Sequence, residues 1–190
     1  MYPKIKAHEH KNNVMNKMRD GIAGLMKKYK VDVVEGEAKL LPNSQVEING
    51  ETHEATDILL CTGSSPAIPP IPGVELDHVV DSTGILERES LPNHLVVVGG
   101  GVIGCEFACM HASVGVPVTV LEAMPEICPN LDAEVSASLR EGLTKKGVIF
   151  KLGAKVESIS ADKVTYSDES GSNELEADLV LVATGRRPNT

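Results

Sequence analysis

Hydrophobic and polar positions alternate along this chain on three different periods. Leu95-Val96-Val97-Val98 is apolar without a break and rich in β-branched residues. A run like that reads as a parallel strand covered on both faces. Three more stretches read as strands: Pro117–Glu122, Val148–Leu152 and Asp178–Gly185. Cys105 to Ala112 follows the first run and reads as a helix. A second helix opens at Leu131-Asp132 and runs through Lys146, with Val135, Leu139 and Leu143 on one face and Gly147 as its C-cap. Strand, helix, strand, helix, strand is the order of an α/β sheet.

The period changes elsewhere. Over residues 8 to 30, Val14, Met18, Ile22, Leu25 and Tyr29 recur at three- and four-residue steps, which predicts an amphipathic helix. Val31–Glu35 and Asp57–Gly63 read as strands. Between them Asn49-Gly50 separates Gln45–Ile48 from Glu51–Glu54, a strong hairpin signal. Residues 64 to 73 hold four prolines and a glycine, too many for a helix or a central strand, and read as a connector. Asp81–Glu89 is expected to be a short helix with Ser82 or Thr83 at its start. A meander is expected from Lys155–Ser160, Lys163–Ser167, a polar turn at Asp168–Asn173, and Leu175–Ala177.

The chemistry lies where the first apolar run ends. Gly99-x-Gly101-x-x-Gly104 sits between a strand and a helix. The first glycine allows a tight turn, the second a close approach of a pyrophosphate to the backbone, and the third close packing of helix on strand. The helix N-terminus adds free N–H groups and partial positive charge. Glu122 ends the next strand, about 20 residues on, where a carboxylate accepts from ribose hydroxyls. It would repel a 2′-phosphate, which favours NAD over NADP. The plainer alternative is a glycine turn in an α/β domain that binds no dinucleotide.

The chain also resembles itself. Gly24 to Lys28 parallels Gly142 to Lys146, Val31 to Gly36 parallels Val148 to Gly153, and Asp57 to Pro66 parallels Asp178 to Pro188. The second glycine loop lies 86 residues before Gly185, and counting back equally from Gly63 passes Met1. The expectation is two dinucleotide-binding units, the first cut short at its N-terminus. The formal charge of −9 argues against nucleic acid or an anionic membrane as partner. Cys61, Cys105, Cys109 and Cys128 form no metal-type pair, and the six histidines show no metal spacing. The cysteines read as reduced thiols of a cytoplasmic protein, with Cys105 and Cys109 as core filler on one helix face.

Val97 to Ala108, Val118 to Glu122 and Ala183-Thr184-Gly185-Arg186-Arg187-Pro188-Asn189 resemble the flavin-dependent pyridine nucleotide-disulfide oxidoreductases, and within them the dihydrolipoamide dehydrogenase branch. Cys128-Pro129-Asn130-Leu131-Asp132 approximates that branch's Leu-Pro-x-x-Asp. The resemblance implies NAD contacts at Gly99, Gly101, Val102, Ile103, Gly104 and Glu106, and a ribose contact at Glu122. It places Val156 beside the adenine and Gly185 beside the nicotinamide half. Ala38, Thr62, Gly63 and Ser64 match flavin-contacting positions.

The family's flavin glycine loop, its redox Cys-x-x-x-x-Cys, its C-terminal Gly-Asp and its interface domain with a His-Glu pair have no counterpart here. The implied architecture is α/β: a partial FAD-binding domain over 1–66, a connector over 67–73, and a Rossmann-like NAD-binding domain over 74–187. The implied parent passes electrons from dihydrolipoamide through a disulfide and FAD to NAD⁺, as a homodimer within a 2-oxo acid dehydrogenase complex. This chain alone is expected to bind NAD(H) without turnover and without retaining FAD. An NADH oxidase, a CoA-disulfide reductase or a stand-alone nucleotide-binding module stay open as alternatives.

Overall fold

A computed structural model describes residues 4–190. The chain divides into two compact units at the Gly63–Ser64 boundary. The first begins with helix α1 (Lys4–Lys28), then strands β1 (Ala38–Leu41), β2 (Gln45–Ile48) and β3 (Glu51–Glu54). These three pair antiparallel in sequence order. Asn49 and Gly50 both take positive φ (53° and 85°), as a two-residue hairpin turn with right-handed strand twist requires. The expected helix is present, yet none of residues 7–63 is buried.

Two expected strands do not form. Val31–Glu35 and Asp57–Gly63 carry no strand pairing, and Val33 and Leu59 are 66% and 86% exposed. A parallel strand draws its hydrogen bonds from flanking strands. The described residues of this unit offer only an antiparallel meander, which is already paired. The internal likeness therefore holds in structure for the two meanders and fails for the parallel strands.

The second unit starts with strands β4 (Ser64–Pro66) and β5 (Val79–Val80) and helix α2 (Gly84–Glu87). Next come β6 (Leu95–Val98), helix α3 (Val102–Ser113), β7 (Val118–Glu122), helix α4 (Ala133–Lys145) and β8 (Val148–Leu152). The meander β9 (Lys155–Ile159), β10 (Lys163–Asp168) and β11 (Gly171–Glu176) leads to β12 (Leu179–Val182) and β13 (Arg186–Pro188). The main sheet has the order β5-β12-β6-β7-β8, and all its pairings are parallel. The fold is therefore α/β with a Rossmann-like parallel sheet and an added β-meander.

Strand alternation builds two cores from one sheet. Leu95, Val97, Val118, Val120 and Leu181 pack with Cys105, Ala108 and Leu143 of the helices. Val96, Val98, Leu121 and Val180 point the other way, onto Val156, Ile159, Val164 and Tyr166 of the meander. Both faces are covered, which is why β6 and β12 are apolar without a break. Leu95, Val96 and Val97 are fully buried. At about 25 cal/mol per Å² of apolar surface, each such side chain stabilises the fold by about 1.5–3 kcal/mol.

Local rules set the element ends. Asp132 caps α4 by accepting from the Glu134 N–H at 2.9 Å, and Gly147 leaves that helix with φ +92°. The short helix α2 is trimmed to Gly84–Glu87. Thr83 is its N-cap, as the sequence suggests, but the side chain that serves the helix start is Asp81, whose Oδ1 accepts from the Thr83 and Gly84 N–H groups. The turn expected at Asp168–Asn173 is tighter, because Asp168 pairs directly with Gly171. The proline-rich stretch opens with β4, a short ribbon partner of β13 with a proline at the end of each strand, where a missing N–H costs no central pairing.

Candidate functional site

The sheet order reverses at β6: the chain continues to β7 on one side, while β12 flanks it on the other. In open α/β sheets the crevice beyond the carboxyl ends of the strands at such a point is where ligands bind. The loop Gly99-Gly100-Gly101 lies there, between β6 and α3.

Its glycines have different reasons to be glycine. Gly99 has φ +106°, and a Cβ there would lie 2.6 Å from the Ala183 carbonyl oxygen at the end of β12. A Cβ on Gly104 would lie 2.0 Å from the Gly99 carbonyl oxygen, so only glycine lets α3 approach β6 this closely. Gly100 faces Glu122 and Ile127, each at 3.1 Å from a Cβ. Gly101 differs from all three. Its φ is −71°, and a Cβ there would meet nothing within 4 Å. The protein's own packing does not require glycine at 101; the space before it is open. Gly101 is also the N-cap of α3, and no side chain caps that helix. The positive end of α3 thus faces open space with its first N–H groups free of a side-chain acceptor.

Glu122 is 8% exposed at the end of β7. One carboxylate oxygen accepts from the Gly100 N–H at 2.6 Å and the other from the Met124 N–H at 2.8 Å. The acid therefore orients the glycine loop as well as standing beside it. A carboxylate has about four lone-pair sites, which leaves capacity for hydroxyl donors. The carbonyl of Gly100 points back into the protein, where it accepts from the Cys128 N–H at 2.9 Å, the Cys105 thiol at 3.4 Å and the Cys128 thiol at 3.7 Å. The segment bearing Cys128 is itself pinned. Arg140 donates to both oxygens of Glu126 (2.8 and 3.0 Å), and the Ser136 hydroxyl donates to the Cys128 carbonyl at 3.2 Å. The Arg140 hydrogen bonds hold the Glu126 carboxyl below its usual range. The sequence pattern reads Cys105 as filler and assigns the Cys128 thiol no role; nothing in spacing alone brings positions 105 and 128 to one carbonyl.

The other residues named from sequence fall into groups. Val102 (56% exposed) and Glu106 lie open on the first turns of α3, with Ile103 half-buried between them. Gly185 follows β12, beyond the same sheet edge as Gly99. Val156 is 9% exposed, and its side chain is committed to the meander core. Ala38 lies exposed in β1, and Thr62 and Gly63 (φ +73°) also belong to the first unit. Ser64 belongs to the second, where its hydroxyl accepts from the Arg186 Nε–H at 2.8 Å and its carbonyl from the same guanidinium. The four flavin-contact candidates are thus divided between the two units.

The open space at Gly101, the uncapped helix and the carboxylate of Glu122 fit a dinucleotide with a free ribose 2′-hydroxyl. Among the described residues of the first unit there is no strand–glycine turn–helix. The described residues contain no cluster of metal-ligating side chains, and no helix among them is long and apolar enough to cross a membrane. All four cysteines are free thiols.

Comparison with known proteins gives the family. The family model described as pyridine nucleotide-disulphide oxidoreductase matches residues 2–190. A dihydrolipoyl dehydrogenase of Pseudomonas putida is 40% identical over 195 aligned positions, covering 96% of this chain and 41% of that protein. The HOCl-induced flavoprotein disulfide reductase of Escherichia coli superposes with a TM-score of 0.83 at 35% identity, over 97% of this chain and 43% of that one. A water-forming NADH oxidase from Lactobacillus brevis, solved with NADH bound, gives a TM-score of 0.67 at 27% identity, over 81% of this chain and 38% of that one. The chain spans about half the length of the relatives it matches, or less.

Proposed function

The chain belongs to the pyridine nucleotide-disulphide oxidoreductase family, and from that premise we propose that its second unit binds NAD(H) at the Gly99–Gly104 loop. The observation that carries this reading is Gly101: a glycine with open space before it, at the uncapped N-terminus of α3. There the pyrophosphate receives backbone N–H groups and the helix dipole. Glu122, already fixed by the Gly100 and Met124 N–H groups, accepts from the adenosine ribose and repels a 2′-phosphate. Gly185 stands at the nicotinamide half, and the backbone of Val156 stands beside the adenine. The L. brevis oxidase, solved with NADH, supports this assignment.

The whole protein is proposed to be a dihydrolipoyl dehydrogenase-like flavoenzyme that passes electrons from dihydrolipoamide through a disulfide and FAD to NAD⁺. The P. putida relative supports this branch. The NADH oxidase is 27% identical against 40% for the P. putida relative, which ranks that activity second. NAD supplies the hydride acceptor; the chain's own residues bind and orient it. The chain's four cysteines include no Cys-x-x-x-x-Cys, so the 190 residues alone are expected to bind nucleotide without turnover. Residues 1–66 are proposed to be part of the FAD-binding domain.

Calorimetric titration with NADH and NADPH tests the binding site. NADH is expected to bind in clear preference to NADPH. Gly101→Ala is expected to leave the melting temperature unchanged and to weaken NADH by about tenfold or more, since its methyl group fills only ligand space. Equal affinity for both nucleotides, or an unaffected Gly101→Ala, would overturn the reading.

A further inference from the structure

Beneath the glycine loop two thiols converge on one acceptor. Cys105, in the first turn of α3, and Cys128, after β7, are 4% and 3% exposed, and both donate to the Gly100 carbonyl. They also interact with each other. Cys128 holds a left-handed backbone (φ +46°), which is unusual for a residue other than glycine or asparagine. The surroundings enforce it: its N–H donates to Gly100, and its carbonyl accepts from the Leu131 N–H at 2.9 Å and the Ser136 hydroxyl at 3.2 Å. Strained backbone held from both sides is found where a site needs a side chain aimed in one direction. Here it aims the Cys128 sulfur at the Gly100 carbonyl, which the Cys105 sulfur also reaches.

We propose that Cys105 and Cys128 form a redox-active pair, and that a disulfide between them weakens nucleotide binding at the loop above; the second half rests on the NAD(H) reading. The oxidant is a small peroxide. The Cys128 sulfur attacks one peroxide oxygen as its S–H proton is released, the O–O bond breaks, and the departing hydroxide takes up that proton as water. The resulting sulfenic acid is attacked by the Cys105 sulfur. The S–O bond breaks, a second water leaves with the Cys105 proton, and the S–S bond forms. Two thiols are oxidised and one peroxide is reduced to two waters. Burial first, and then the Cys128 thiol beside it, push the Cys105 thiol up to about 12. Cys105 thus rests as the thiol, and its proton departs only with the second water. A small neutral peroxide suits so enclosed a pair better than a bulky disulfide.

The bond removes both S–H donors from the Gly100 carbonyl and draws the first turn of α3 toward the Cys128 segment. The Gly100–Gly101 peptide loses its fixed aim, and with it the N–H that faces the pyrophosphate. Losing hydrogen bonds of ordinary strength corresponds to an affinity loss of about tenfold.

The test uses the full chain with Cys61→Ser and Cys109→Ala as background, reduced or treated with hydrogen peroxide and then desalted. Non-reducing peptide mapping by mass spectrometry is expected to find a Cys105–Cys128 linkage. NADH affinity, followed by fluorescence, is expected to fall about tenfold and recover with dithiothreitol. Cys128→Ser and, should that variant fold poorly, Cys105→Ala are each expected to abolish the peroxide effect. Two unmodified thiols, or cysteine sulfonic acids without linkage, would overturn the pair. Linkage with unchanged affinity would overturn the coupling to nucleotide. Should the reduced chain bind no NADH, the dinucleotide reading fails, while the peptide map still decides the disulfide.

Discussion

Two meanders of the same topology meet different fates in this chain. The meander β9-β10-β11 buries Val156, Ile159, Val164 and Tyr166 against the parallel sheet. The meander β1-β2-β3 follows the same three-strand order, yet nothing in it is buried. The difference is the layer beneath. Ser64–Thr190 contains β5, β6, β7, β8 and β12, so its meander has a sheet to cover. In the first unit the segments that resemble β8 and β12 carry no pairing, and Ile22, Leu25, Leu59 and Leu60 are 56%, 47%, 86% and 57% exposed. Local sequence makes a hairpin; only a neighbour makes a core.

This contrast makes a graded set of expectations. The largest effect belongs to Gly104→Ala, whose methyl group would sit 2.0 Å from the Gly99 carbonyl oxygen. It is expected to cost about 3 kcal/mol or more, because backbone must move. Leu181→Ala in β12 should cost about 2–5 kcal/mol, as for other fully buried leucines. Denaturant titration measures both, and a loss below about 1 kcal/mol in either would show that the two-core sheet is looser than its burial implies.

Amide exchange sharpens the comparison across regions. Amides of β6, β7 and β12 should exchange slowest, and those of 31–35 and 57–63 fastest. Protection of 57–63 equal to that of β12 would break the contrast.

A smaller effect comes from His111, 5% exposed at the end of α3. Burial lowers its basicity below the ordinary imidazole range, outweighing the opposing hydrogen bond to the Phe107 carbonyl. The folded state thus holds it neutral while the unfolded state takes a proton. Stability is unaffected above the ordinary histidine value of about 6.5 and falls as pH drops below it. Melting temperatures between pH 7 and 5 should show this loss, and His111→Gln should reduce it. The smallest effect is expected from Leu25→Ala on α1, within about 0.5 kcal/mol, since the side chain is already 47% exposed.

Much of the second unit is legible in the residues themselves. The strand at Leu95–Val98, both flanking helices, the Asp132 cap, the Gly147 exit and the Asn49-Gly50 hairpin follow from periodicity and from single residues whose backbone demands are strict. The glycine spacing locates the loop between β6 and α3, and Glu122 ends β7 in hydrogen-bond contact with it. The flavin-contact candidates, by contrast, are spread over two units, and Val156 spends its side chain on the core.

What the sequence determined by itself was local: which segments favour helix, which favour extended backbone, and where a turn needs glycine. Those preferences act over a few residues. The tertiary structure alone decided what depends on neighbours distant in sequence. It gave pairing to 148–152 and 179–182 and withheld it from 31–35 and 57–63, because a parallel strand cannot satisfy its own hydrogen bonds. It made Gly101 the one loop glycine without a packing reason. It also brought Cys105 and Cys128, 23 positions apart in the chain, to the same carbonyl, a meeting set by how β7 and its following loop pack against α3.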